Sequence, residues 1–141
     1  MLIGSFVFPG LMTAIWAEKP GASPWLIPGM RMLAVIGLCA IPLAHVLYTR
    51  LLAILGSVRA ANPFVPENAA RLQTIAWTLL GLQLLHLAAG AVAAAASTKT
   101  YPLDIDWEFS AIGWLSVFLV FVLAQVFDHG TRMREDLEGT V

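Results

Sequence analysis

Four apolar runs, separated by shorter segments rich in proline, glycine and charge, organise the chain. A membrane-spanning helix needs about 20 mostly apolar residues, because roughly 30 Å of hydrocarbon is crossed at about 1.5 Å per residue. Three runs meet that length: residues 32–54, interrupted only by His45 and by Arg50 near the end, residues 74–96, and residues 109–127. The first run, residues 2–16, would reach only about 22 Å as a helix, and Pro9-Gly10 weakens its middle. A signal peptide wants a basic start and a small-residue cleavage site. Nothing positive precedes Leu2, and Ile15 and Trp16 stand where small residues would be needed. A re-entrant segment is the alternative. The favoured reading is a genuine span lacking its first turn, with the start codon upstream of Met1. The pattern thus predicts an all-α polytopic membrane protein: one domain over residues 1–141, folded as a four-helix transmembrane bundle with short loops.

Three loops connect four spans. Residues 17–28 carry Pro20-Gly21, Pro24 and Pro28, the last followed by Gly29, as helix breakers. Residues 55–71 contain Asn62-Pro63 and Pro66. Pro66 with Glu67 suits a first helical turn, where a missing N–H costs nothing and a negative charge complements the dipole. Residues 97–108 carry Pro102, Asp104 and Asp106. The tail, residues 128–141, mixes both charge signs and places Met133 and Leu137 one helical turn apart. This predicts an amphipathic extension of the last helix, with Gly130 as its weak point.

Composition narrows the function classes. Only 12% of residues are charged and 59% are hydrophobic, against about a quarter charged in soluble domains. Eight Lys+Arg against nine Asp+Glu leave a net charge of -1, no basis for direct nucleic-acid binding. The lone Cys39 forbids an internal disulfide or a CxxC site. Arg50, Arg59, Arg71, Arg132 and Arg134 lie on one side of the predicted membrane, against Lys19, Arg31 and Lys99 on the other. The positive-inside rule therefore places residues 55–71 and both termini in the cytoplasm.

No acidic residue falls within a span, which removes the embedded carboxylate that a proton-coupled exporter needs. The intramembrane polar residues are Cys39, His45, Gln83, His86, Ser110, Ser116 and Gln125. If the second and third spans pack antiparallel, His45, Gln83 and His86 meet near mid-membrane. The preferred reading is an interhelical hydrogen bond that fixes register. The alternative is a haem or metal site with His45 and His86 as ligands, for which no third or fourth ligand stands at bonding spacing. Hence no cofactor or metal is expected. Pro42 removes one helical hydrogen bond and predicts a kink. Small residues at Ala40 and Ala44, Gly90 and Ala94, and Ser110, Gly113 and Ser116 allow close helix approach within one bundle or, alternatively, in a homodimer.

The most distinctive text lies outside the lipid. The Asn62-Pro63-Phe64 turn, followed by Glu67, Asn68, Arg71 and Leu72, together with Gly130, Met133, Asp136 and Leu137, resembles domain-of-unknown-function family 2975 over residues 30–141. The chain departs from it at the N-terminus, where family members show a fuller first helix. The resemblance implies a four-helix bacterial inner-membrane protein without known activity, and it supplies no catalytic or binding residues. Family genes often lie beside one for a small helix-turn-helix regulator, which implies, by association, a cytosolic partner.

The leading hypothesis is therefore non-enzymatic: a regulatory or sensing partner of such a regulator, embedded in the lipid bilayer. Arg59, Phe64, Glu67, Asn68 and Arg71 from the loop, with Arg132, Arg134 and Asp136 from the tail, form its docking face. Asn62, Pro63 and Pro66 hold the loop's shape. A haem- or small-ligand-binding bundle using His45 and His86, and a small transporter in which Gln83 and Pro42 matter, are the alternatives.

Overall fold

The computed structural model describes residues 24–60, 65–98 and 110–139. Among these residues the protein is all-α, with three helices: α1 (Leu26–Arg59), α2 (Pro66–Ala96) and α3 (Ala111–Glu138). Each contains an 18-residue window of mean hydropathy 1.8 to 2.0, long and apolar enough to cross a membrane. Three helices are found where four are expected; residues 2–16, which carry the first run, lie outside the described residues.

The helices outrun the apolar runs that predict them. α1 takes Pro28 and Gly29, expected as breakers, into its first turn. A proline there is harmless, because the first four N–H groups of a helix lack an intrahelical acceptor anyway. The helix continues through Pro42 and ends on Arg59, a cation suited to the negative end of the helix dipole. α2 opens on Pro66 with Glu67 in its first turn, as its composition predicts. Residues 55–59 and 66–71 are therefore helical, where a connection over 55–71 is expected. Ser110, expected inside the fourth span, instead caps α3, its Oγ accepting from the Gly113 N–H at 3.1 Å. α3 passes through Gly130 without interruption to Glu138.

Burial is inverted relative to a water-soluble domain. The buried apolar residues are mostly small, among them Ala69, Ala76, Ala93, Ala96 and Ala124, and the largest fully buried side chain is Asn68. Large apolar side chains such as Leu38, Leu52, Ile112 and Phe118 are more than 60% exposed. Covering one such side chain is worth about 1.5–3 kcal/mol in water, so a surface of them is stable only where lipid is the solvent. The hydroxyls agree: Ser57, Thr74, Thr78, Ser116 and Thr131 each donate to a carbonyl of their own helix, three or four residues back. That contact satisfies the hydroxyl within its own helix, without need of water.

The chain divides into two units, Met1–Ile41 with Leu84–Phe109, and Pro42–Gln83 with Ser110–Val141. In the first, Gly29 of α1 lies directly against Ala96 of α2. In the second, α2 packs antiparallel to both neighbours. Toward α1, Gly81 meets Leu43 and Asn68 meets Ser57. Toward α3, Gln83 covers Gly113, and the Trp77 and Phe121 rings meet edge-on with centroids 5.3 Å apart.

Candidate functional site

Two polar constructions occupy the second unit, both near the start of α2. The first is a clasp. Asn68 Nδ2 donates to Ser57 Oγ at 2.6 Å, and Ser57 Oγ donates onward to the Ile54 carbonyl at 2.7 Å. Arg71 Nη1 donates to Asn68 Oδ1 at 2.8 Å and approaches the Ala53 carbonyl at 3.4 Å. The end of α1 is thereby tied to the start of α2 through both halves of one carboxamide. Asn68 is fully buried, so its amide depends on these partners; an unsatisfied buried polar group costs about 1–3 kcal/mol.

The second construction is a groove of about 590 Å³ between the first turns of α2 and the far half of α3. Ala69, Ala70, Phe121 and Ala124 give it small and apolar walls; Gln73, Gln125, Asp128, His129 and Arg132 give it polar ones. Asp128 Oδ2 and Arg132 Nη2 form an i,i+4 ion pair at 2.9 Å, about half and three-quarters exposed respectively. His129 Nδ1 lies 3.1 Å from the Gln125 carbonyl. A carbonyl only accepts, so in this contact Nδ1 carries a proton, and the neutral ring then offers Nε2 as an acceptor.

The residues expected at a docking face fare differently. Arg59, Glu67, Arg132, Arg134 and Asp136 are exposed. Asn68 is a correction: it has no surface to offer a partner, because α1 and α2 close over it. Arg71 is half-buried, with its guanidinium turned inward to the same clasp. Asn62, Pro63 and Phe64 lie outside the described residues. Of the intramembrane residues, Gln83 packs on Gly113 of α3; its amide occupies the space where a Cβ would stand. His45 and His86 belong to different units, and each is exposed on its own helix. Among the described residues no group of three His, Cys, Asp or Glu side chains is placed to hold a metal.

Sequence reasoning missed the groove and the role of Ser57. The i,i+4 spacing of Asp128 and Arg132 and the matched amides of Gln73 and Gln125 were visible signals. Only the antiparallel register of α2 and α3 brings the two sets together.

No curated protein and no solved structure matches the chain. A family model described as "Protein of unknown function (DUF2975)" matches residues 6–141. With nearly the whole sequence matched, from before the first described helix to the end of the tail, the chain belongs to the DUF2975 family.

Proposed function

We propose that the protein is a non-enzymatic, four-helix component of a bacterial inner membrane, with both termini in the cytoplasm, and that it engages a small cytosolic helix-turn-helix regulator. The observation that carries this reading is the continuation of α3. Its apolar run ends at Phe127, yet the helix proceeds to Glu138, about 16 Å further at 1.5 Å per residue. Along that extension Met133 and Leu137 are 63% and 72% exposed, with Arg134 and Asp136 beside them. Two apolar side chains one turn apart, flanked by charges of both signs, match the helix-in-groove mode of recognition. Arg59 and Glu67, exposed at the facing ends of α1 and α2, widen the face. The choice of a helix-turn-helix partner follows the gene neighbourhood that the family implies.

The test is gentle solubilisation of the tagged protein from native membranes, followed by mass spectrometry of what co-purifies. A stoichiometric small helix-turn-helix protein, lost when Met133 and Leu137 are both changed to Ser, is the expected result. Its absence from the wild-type preparation, or its retention by the double variant, would overturn the docking helix.

A further inference from the structure

We propose that the groove between the first turns of α2 and the end of α3 binds one phospholipid whose headgroup carries both a primary ammonium and a phosphate. The inference is independent of any protein partner. It rests on the grading of the groove, on its charge balance and on its hydrogen-bonding groups.

The groove follows α3 from Phe121 to Arg132, about 16 Å of helix. The α3 wall changes character over that distance, while the α2 wall opposite it is mostly small and apolar. Phe121 and Ala124 are apolar and lie within the run that ends at Phe127, whereas Asp128, His129 and Arg132 lie beyond it. A cleft that crosses from the hydrocarbon level to the headgroup level fits an amphiphile aligned with the helix axis. Its acyl chains then meet Phe121 and the exposed apolar surface of α3, and its headgroup meets the charged turn.

The headgroup class follows from the charges. Asp128 and Arg132 contribute one of each sign, 2.9 Å apart, so the polar end is neutral and favours a neutral zwitterion. An exposed i,i+4 pair is weak and opens readily. Its two members can then exchange each other for the two charges of the ligand. Asp128 receives the ammonium, and Arg132 takes the phosphate in the planar, forked geometry that suits it. The neutral His129 ring, with Nδ1 turned to the Gln125 carbonyl, offers Nε2 to a second ammonium proton. The amides of Gln73 and Gln125 line the same space and donate to ester or phosphate oxygens. A quaternary ammonium cannot donate those hydrogen bonds, and a purely anionic headgroup leaves Asp128 facing a like charge. Phosphatidylethanolamine therefore fits better than phosphatidylcholine or phosphatidylglycerol.

The experiment is native mass spectrometry of the full-length, delipidated protein in detergent, titrated with dioleoyl phosphatidylethanolamine, phosphatidylcholine or phosphatidylglycerol, and with water-soluble phosphoethanolamine. Expected is a single phosphatidylethanolamine adduct formed about tenfold more tightly than either other lipid, the margin of one charge-assisted hydrogen bond. Asp128→Asn removes that margin. Ala70→Phe, at an exposed position on the groove wall, abolishes the adduct, and Gln125→Leu weakens it in protein that still elutes as a single species. Equal binding of all three lipids would mean an unselective lipid annulus and overturn the proposal. Tighter phosphatidylglycerol binding would overturn it in favour of a simple basic site. Phosphoethanolamine binding as tightly as the lipid would overturn the membrane source of the ligand.

Discussion

Replacing Gly29 with alanine separates two opposed physical effects. Gly29 is the fourth residue of α1, and in a helix Gly→Ala ordinarily stabilises by roughly 0.5–1 kcal/mol, because glycine loses more backbone freedom on folding. Packing predicts the reverse. A Cβ at Gly29 would lie 2.5 Å from Ala96 Cβ and 3.8 Å from Val92 Cγ1. Carbon atoms in contact prefer about 3.5–4.0 Å, so the new methyl falls about 1 Å short. Neither methyl has a rotamer through which to escape, and both positions are buried, so relief requires the two backbones to part. Overpacking of this kind costs about 1–3 kcal/mol, which exceeds the gain from propensity. Gly29→Ala should therefore destabilise the protein by about 1–2 kcal/mol net, read as a lower midpoint in denaturation from detergent micelles. Ala96→Gly alone should cost less than the roughly 1 kcal/mol of a helix interior, because Ala96 is the last residue of α2. Combined with Gly29→Ala it restores the methyl count at the crossing, and the pair should show favourable coupling of about 1–3 kcal/mol. A Gly29→Ala protein as stable as the wild type, or more so, would refute the close approach of α1 and α2 at this point.

Three further predictions probe the second unit. Asn68→Ala strips Ser57 and Arg71 of their shared partner and should cost about 2–3 kcal/mol, whereas Glu67→Ala, one residue away and exposed, should stay within about 0.5 kcal/mol; the same denaturation midpoint decides both. Gly113→Ala drives a methyl into the Gln83 amide, but a flexible side chain can swing aside, so the loss should be about 1 kcal/mol and Gln83→Ala should suppress it. Changing Met133 and Leu137 to Ser should leave the midpoint within about 0.5 kcal/mol, because both are exposed, while partner capture is lost.

Much of the local structure is legible in the residues. Pro66-Glu67 announces the start of α2, and Met133 with Leu137 announces that α3 continues as a helix beyond its apolar run. Pro28-Gly29 misleads, because the pair that breaks a helix interior is tolerated in a first turn, and because Gly29 serves close packing instead of a turn. Ser110 misleads in the same way: a hydroxyl at the edge of an apolar run is an N-cap here, a role visible only once the Gly113 N–H is known to reach it.

The candidate site was harder to foresee. Asn68, Glu67 and Arg71 are near neighbours with similar polarity, yet one is sealed inside, one exposed and one turned inward. Nothing in the sequence ranks them. The difference arises because Ser57, eleven residues earlier on another helix, is at the height of Asn68.

From sequence alone came the class of the protein: apolar runs long enough for the membrane, few charges to anchor in water, and a family motif at the loop and tail. Length and hydropathy suffice for that, because the bilayer imposes them on any spanning helix. Which face of each helix meets protein and which meets lipid was decided only by the tertiary structure. In lipid the hydrophobic effect does not separate the two faces, since leucine is as content against an acyl chain as against another helix. The interior is chosen instead by close fit, as between Gly29 and Ala96 or Gln83 and Gly113, and by hydrogen bonds such as the Asn68 clasp. Those depend on which residues stand opposite one another across the helix pairs.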